Sequence, residues 1–184
     1  MSIVKPVELP EPSLLRELKN SGSYTDCYTT TIPIDITQAQ FIEAFYTTPL
    51  FKAERFILRL LASKASTDQD ASDLAHGKRD SFAVWRVAER RPEQLLLTDQ
   101  TGRTRSWLMV VPGQTTTQLF FGSALMGRRN PTTGQQQFTF VFRALLAMHN
   151  FYSRHLLQAA AKRIIAAAKS PVRILGPSNV YRYP

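Results

Sequence analysis

His149 and Tyr152 are the side chains best suited to acid–base chemistry, because they lie three residues apart in a long amphipathic segment. Residues spaced three or four apart share one face of a helix. That face is otherwise apolar, so an imidazole and a phenol on it must find hydrogen-bond partners or line a cavity. Two interpretations stay open: both are hydrogen-bonded core residues, or they form part of a pocket wall as orienting donors or as a general acid and base.

Asp26 is a carboxylate in the middle of a strand-like alternation, between Thr25 and Cys27. A buried carboxylate needs a partner, and an arginine from the C-terminal half is the expected one. The alternative role for Asp26 is that of a catalytic base. Cys27 is the only cysteine, so no internal disulfide can form, and we expect a small buried side chain rather than a reactive thiol.

Two tryptophans and an arginine complete the candidate binding residues. Trp85 and Trp107 lie centrally in two strand-like runs. Large aromatic side chains at such positions either pack in the core or line a cavity for a flat apolar ligand. Arg105 shares a face with Trp107 by strand alternation. On a cavity wall it would pair with a ligand carboxylate; otherwise it reaches solvent or Asp99.

The motifs of the common cofactor and metal enzymes are absent. The sequence has no glycine-rich dinucleotide or phosphate loop, no GxSxG nucleophile motif and no zinc-ligand spacing. Asp68, Asp70 and Asp73 resemble the start of a calcium loop, but its glycine and final glutamate are missing. We therefore expect no cofactor and no metal, whereas acid–base chemistry by side chains alone stays open.

The element that must position His149 and Tyr152 is a helix predicted over residues 135–168. Its apolar side chains repeat at alternating spacings of four and three, which is typical of one continuous helix face. The members of this stripe are Phe138, Phe142, Leu145, His149, Tyr152 and Leu156. A helix of about 34 residues is roughly 50 Å long, so it can lie across a whole sheet. Phe142 and Leu145 are therefore candidate cavity residues.

Strands and short helices precede this helix. The run SYTDCYTTTIPI alternates with period two and predicts a strand, followed by predicted helices over TQAQFIEAFYTT and PLFKAERFILRLLAS. Asp35 or Thr37 is the expected N-cap of the first of these helices. Short turn sequences separate four more strand-like runs, SFAVWRVAERR, QLLLTDQ, RTRSWLMVV and TTQLFFGSALM. Such short loops predict hairpins, and hence an antiparallel meander with five predicted strands in all.

The length of 184 residues predicts a single domain over residues 1–184, with an N-terminal arm at 1–20 and a tail at 170–184. No apolar run is long enough to span a membrane. The first residues also lack the apolar core of a secretory signal. We therefore expect a cytoplasmic protein.

Charge is distributed unevenly along the chain. Residues 1–100 contain 12 Lys/Arg and 14 Asp/Glu, whereas residues 101–184 contain 11 Lys/Arg and no acid. Either the two halves face each other in the fold, or the basic half presents a surface that attracts phosphates, carboxylates or anionic lipid. Nucleic acid is the weaker choice, because the basic residues are scattered singly.

The order strand, two short helices, meander and long helix resembles the helix-grip superfamily of START-type lipid-transfer and polyketide-cyclase-like (SRPBCC) domains. Within it, the chain resembles a bacterial family of domains of unknown function. The segments that carry the resemblance cover most of residues 23–157: SYTDCY, AFYTTPLF, FAVWRV, LLTDQTGRTRSWLMV, LFFGSAL and FRALLAMHNFYSRHLL. The resemblance implies an α+β fold in which an antiparallel sheet wraps around a long C-terminal helix and leaves a hydrophobic ligand cavity.

The resemblance also implies a seven-stranded sheet, against the five strands predicted here. Either a strand is hidden within 63–80 or the sheet is smaller. The leading functional hypothesis is binding of an apolar or amphipathic small molecule between sheet and helix, with an anionic group on the ligand as one option. The alternatives are a cyclase, dehydratase or hydrolase that uses His149, Tyr152 and Asp26, and binding of anionic membrane or nucleic acid through the basic half.

Overall fold

The computed structural model describes residues 3–53, 66–126 and 149–169 in full, and residues 128–129, 136–137 and 140–148 by their backbone. Predicted features within residues 54–65, and the tail at 170–184, lie outside the described residues. The second predicted helix is therefore described only over its first turn, where residues 49–53 are helical.

The main sheet is antiparallel and has seven strands, in the spatial order β1-β2-β7-β6-β5-β4-β3. The strands are β1 (Lys5–Pro6), β2 (Tyr24–Ile32), β3 (Ser81–Phe82), β4 (Trp85–Arg91), β5 (Gln94–Asp99), β6 (Thr104–Pro112) and β7 (Thr117–Leu125). Strands β3 to β7 form the predicted meander, and β2 pairs with β7 on its far side. A separate pair joins β8 (Arg128–Arg129) to β9 (Gln136–Gln137).

The predicted number of five strands is wrong. One missed strand is β1, and two residues are too few to show an alternation. The second additional strand arises because the run over 81–91, predicted as one strand, is divided into β3 and β4. Ala83 has a φ of 52°, a left-handed conformation that turns the chain so that Phe82 pairs with Trp85. No strand is found in the described part of the 63–80 segment.

Besides the helical turn at residues 49–53, four helices are described: α1 (Arg16–Asn20), α2 (Gln38–Tyr46), α3 (Asp68–Ala75) and α4 (Phe140–Lys169). Thr37 caps α2 by accepting from the N–H of Gln40, whose side chain accepts in return from the N–H of Thr37. Thr67 and Asp70 form the same reciprocal arrangement at α3. These side chains satisfy N–H groups that have no acceptor inside the helix. Thr37, rather than Asp35, is thus the cap.

Helix α4 is continuous over 30 residues. It begins five residues later than predicted, because residues 136–137 pair in β9 instead of entering the helix. The prediction of a long C-terminal helix is confirmed. No helix among the described residues has the length and apolar character needed to cross a membrane.

The sheet is covered on both faces. On one face, the buried residues of β2, β6 and β7, such as Tyr28, Leu108 and Phe121, pack with Leu156 and Leu157 of α4. On the other face the N-terminal arm covers a second cluster: Leu9, Leu14, Leu15, Cys27, Leu96, Trp107, Met109, Phe120 and Ala124. The fold is α+β and has the predicted helix-grip arrangement, with the addition of the arm as a third layer.

Ion pairs between lysine or arginine and a carboxylate stay within the first hundred residues of the described chain. They join Arg16 to Glu11, Lys19 to Glu8, Lys52 to Asp68, Arg79 to Asp70 and Arg91 to Glu89. Within the described residues, no lysine or arginine of the basic half forms one. The two halves do lie side by side in the fold, since β2 pairs with β7 and β5 with β6, but these described residues form no Lys or Arg ion pair between the halves.

Candidate functional site

Three polar side chains lie in one row across the face of the sheet that α4 covers. Asp26 on β2 is directly opposite Ser123 on β7, and Ser123 is opposite Ser106 on β6. Side chains two residues apart on a strand share a face, so Asp26 points to the same side as Tyr28. The row therefore places Asp26 and Ser123 beneath α4, next to an otherwise apolar interior, whereas the Ser106 hydroxyl lies 3.3 Å from the hydroxyl of Tyr46 on α2.

His149 of α4 completes a site that we call the Asp26–Ser123–His149 cluster. Oδ1 of Asp26 accepts from the backbone N–H of Ser123 at 2.8 Å and from the Ser123 hydroxyl at 2.7 Å. Nε2 of His149 lies 2.8 Å from Ser123 Oγ and 3.3 Å from Asp26 Oδ2. The side chain of Asp26 is 7% exposed and that of His149 is 28% exposed. The imidazole is thus the accessible member of the cluster.

The hydrogen bonds assign the proton of the imidazole. Ser123 has one hydroxyl hydrogen and donates it to Asp26, so its oxygen can only accept from His149. Nε2 therefore carries the hydrogen of the neutral ring, and Nδ1 has the free lone pair. Ser153 Oγ, 3.4 Å from Nε2, is a more distant neighbour. Nδ1 has no hydrogen-bond partner among the described residues, so it can accept a proton or a hydrogen bond from a ligand.

This geometry differs from that of a serine hydrolase. In a Ser–His–Asp triad the serine donates to one ring nitrogen and the carboxylate binds the other. Here Ser123 and Asp26 both lie at Nε2, and the serine donates to the carboxylate. Ser123 is therefore not activated as a nucleophile. The arrangement instead suits His149 as a base through Nδ1, with the Asp26 carboxylate able to stabilise the imidazolium that would result.

The expected arginine partner of Asp26 is not found among the described residues. There, Ser123 and His149 contact this carboxylate instead. The contact of Oδ2 with His149 has the separation of an ion pair but not the geometry of a hydrogen bond, and Oδ2 has no hydrogen-bond partner. Leaving a buried polar atom unsatisfied costs about 1–3 kcal/mol.

The cluster lies towards the less covered end of this face. In the adjoining row the side chains on the same face are all half-buried, namely Tyr24, Leu125, Thr104, Asp99 and Trp85. The indole N–H of Trp85 has no hydrogen-bond partner, and burial raises the pKa of Tyr24 above its usual value. Trp85 therefore lies on the predicted side of the sheet, with an unpaired donor.

Trp107 and Arg105 lie on the opposite face, so the prediction that they line a cavity beneath α4 is wrong. Trp107 is fully buried under the arm, and its indole N–H donates to Gln94 at 2.9 Å. The Arg105 guanidinium donates to the hydroxyl of Thr98 and the carbonyl of Gly102. Burial lowers the pKa of Arg105. The alternation correctly grouped the two residues, but it does not determine which face the helix covers.

The remaining predicted residues lie along α4. Tyr152 is half-buried and packs against the main apolar cluster. The side chains of Phe142 and Leu145 lie outside the described residues. Sequence reasoning missed Ser123, although its position two residues after Phe121 in an apolar run indicated a hydroxyl on a buried face. Among the described residues, no three His, Cys, Asp or Glu side chains converge as a metal site.

Three grooves described near α2 do not touch the cluster, having volumes of about 600, 460 and 330 Å³. The largest lies between α2 and the C-terminal end of α4, with walls that include Ile36, Ala44 and Ile164. It is an apolar groove with Asp35, Glu43 and Arg163 among its lining residues.

No family model matches the chain, and no curated protein does. Among solved structures, the crystal structure of CalU16 from Micromonospora echinospora is similar over 91% of this chain and 95% of that chain, with 10% sequence identity and a TM-score of 0.32.

Proposed function

We propose that the chain binds an apolar or amphipathic small molecule between the sheet and α4, with a hydroxyl or N–H group of the ligand at His149. The observation that carries this proposal is the buried Asp26–Ser123–His149 cluster, which orients an imidazole whose Nδ1 is unpaired among the described residues. Binding sites of small molecules combine apolar walls with a few polar groups that fix orientation. The resemblance to START-type domains supports the same kind of site.

The half-buried side chains beside the cluster suit the apolar part of such a ligand. Trp85 and Leu125 share the face of Asp26 and are incompletely covered. An aromatic ring gives a large apolar contact area, and the unpaired indole N–H of Trp85 can donate to a carbonyl or ether oxygen. Leu125 is on β7 beside the cluster, whereas Trp85 is on β4, four strand spacings or about 19 Å along the sheet from Asp26. Only a long ligand, with a hydroxyl or amine at one end and an acceptor near the other, would therefore satisfy both unpaired groups.

A ligand whose anionic end lies at His149 is expected to bind less tightly. The Asp26 carboxylate lies within 3.3 Å of the imidazole, and like charges in a partly buried site repel each other. Arg105, the predicted partner of a ligand carboxylate, lies on the other face of the sheet. We therefore expect an alcohol or amine to bind more tightly than the carboxylic acid of the same carbon skeleton.

The test is a ligand panel of matched long-chain and aromatic alcohols, amines and acids, measured by thermal shift and calorimetry. We expect His149→Leu to raise the Kd of the tightest-binding alcohol roughly tenfold, because one hydrogen bond is lost. Thr30→Val is the matched control, since Thr30 lies on the same strand and face as Asp26 and is buried. Equal affinity in wild type and His149→Leu, or no ligand in the panel, would contradict the proposal.

A second candidate function is acid–base catalysis on the bound molecule. It is favoured by the position of the Asp26 carboxylate behind Nε2, which leaves Nδ1 as the base. His149→Gln keeps a donor towards Ser123 and removes the imidazole. If the chain is an enzyme, this variant retains binding but loses turnover by about 10²–10⁴-fold. A ligand recovered unchanged by mass spectrometry after prolonged incubation with wild type would contradict catalysis.

A further inference from the structure

The outward side of α4 carries a stripe of exposed basic side chains with one exposed aromatic ring. We call Phe151, His155, Lys162 and Lys169, together with Arg154 at their edge, the outer stripe; Arg154 projects about 80° away from Lys162 around the helix axis, on the side opposite to Arg163. All five are exposed, and Phe151, at 64% exposure, is one of the few large apolar side chains that solvent reaches in the described structure. The ring of Phe151 lies against that of His155, with centroids 4.0 Å apart. The stripe extends about 27 Å along the helix axis.

The charges of the outer stripe are not neutralised within the described structure. Helix α4 contains no Asp or Glu over its 30 residues. Arg154, Lys162 and Lys169 form no ion pair with the described residues, whereas five basic side chains of the first hundred residues do. Free cations along one face produce a local positive potential that attracts an anionic partner.

Acidic side chains near α4 lie beside the helix rather than along the outer stripe. Asp35 and Glu43 line the groove that Arg163 also borders, and Arg163 projects about 100° away from Lys162 around the helix axis. The opposite side of α4 is occupied by the core, where Leu156, Leu157 and Ala160 are buried. The side of α4 that faces away from the core is therefore exposed to a partner.

We infer that the outer stripe docks the protein on a bilayer surface that contains anionic phospholipid. Lys and Arg side chains near an anionic bilayer each contribute about fivefold to partitioning, or about 1 kcal/mol of attraction, and the apolar face of α4 is already occupied by the core. Because α4 packs along the core, its outer side can rest on a plane, whereas the major groove of DNA admits a helix that enters it. Phe151 adds an apolar group that can enter the headgroup region. This inference does not depend on ligand binding at His149.

The experiment is co-sedimentation with phosphatidylcholine vesicles containing about 30 mol % phosphatidylserine, since each surface cation contributes about fivefold to partitioning. The triple variant R154Q/K162Q/K169Q is expected to bind roughly a hundredfold less. The matched control K5Q/K78Q/R86Q removes the same formal charge from exposed positions elsewhere and is expected to bind nearly as wild type does. F151A is expected to lose binding severalfold while its melting temperature stays unchanged.

Three results would overturn the inference. The first is equal binding of wild type and R154Q/K162Q/K169Q, with both proteins folded by circular dichroism. The second is an equal loss in the control, which would attribute binding to net charge instead of the outer stripe. The third is tighter binding to duplex DNA than to the vesicles at the same salt concentration, which would assign the stripe to nucleic acid.

Discussion

Cys27 and Asp26 are adjacent on β2 and face opposite sides of the sheet. Cys27 is buried in the cluster beneath the N-terminal arm, whereas Asp26 lies under α4. Burial, together with the nearby carboxylates of Asp26 and Glu8, raises the pKa of Cys27 from 9.0 to about 12. The thiol is therefore neutral at physiological pH and poorly nucleophilic.

We predict that iodoacetamide does not label Cys27 in the native protein at about pH 8.5, but does so rapidly in urea. Folding raises the pKa of Cys27 from 9.0, its value in the unfolded chain, to about 12. The neutral thiol therefore contributes its full stability below about pH 9, and this contribution is lost as the pH rises towards 12. Mass spectrometry of the labelled fraction gives the measurement. Fast labelling under native conditions would show that the arm does not protect this residue.

At the scale of secondary-structure elements, β7 approaches its neighbours closely at Gly122. A Cβ at this position would lie 2.8 Å from the backbone oxygen of Asp26, 2.9 Å from Leu15 Cδ1 and 3.1 Å from the ring of Trp107. The first contact is with backbone, which cannot move aside without disturbing β2. Gly122 thus lets the arm and Trp107 pack on one face while Asp26 meets Ser123 on the other.

We predict that Gly122→Ala lowers the free energy of unfolding by about 1–3 kcal/mol through overpacking. Gly77→Ala is the comparison, since nothing lies within 4 Å of its added Cβ and only its φ of +71° is unfavourable. That conformation costs about 1–2 kcal/mol for a non-glycine residue. Urea unfolding of both variants measures the difference. We further expect only Gly122→Ala to weaken ligand binding at His149, because only it displaces Asp26.

Helix α2 was the element that the sequence predicted best. Thr37 marks its start, because a cap is a local interaction between residues close in sequence. The strands β1 and β3 escaped prediction since their pairing depends on distant or turned segments. The start of α4 was misplaced for the same reason, as β9 forms through its partner β8.

The candidate site was predictable only in part. Asp26 and His149 were identifiable as polar residues in apolar patterns, but their contact joins residues 123 positions apart in the sequence. Trp107 and Arg105 were assigned to the wrong face, since a period of two groups side chains without saying which layer covers them. Only the position of the arm, which packs Leu15 beside Trp107, decides this.

At the scale of the whole molecule, the N-terminal arm is a structural layer rather than an appendage. Leu15 is fully buried and belongs to the cluster of Trp107 and Phe120. The N–H of Leu14 and the carbonyl of Pro12 both bind the side chain of Gln94 on β5. Gln94 also accepts from Trp107, so one buried amide joins the arm to two strands.

We predict that Leu15→Ala lowers the free energy of unfolding by about 2–5 kcal/mol, as for other large-to-small core substitutions. Leu18→Ala is the control on the same segment. Because Leu18 is only partly buried, this substitution should lower the free energy of unfolding by less. Chemical denaturation followed by circular dichroism measures both. Similar losses in the two variants would contradict the view that the arm is anchored at Leu15.

The two tryptophans lie on opposite faces of the sheet, so the intrinsic fluorescence of each one reports on a different face. Trp107 is sealed beneath the arm, and Trp85 is half-buried on the side of His149. Fluorescence of a W85F variant would therefore follow detachment of the arm. Fluorescence of a W107F variant would instead follow a molecule entering under α4, so that events on the two faces can be timed independently.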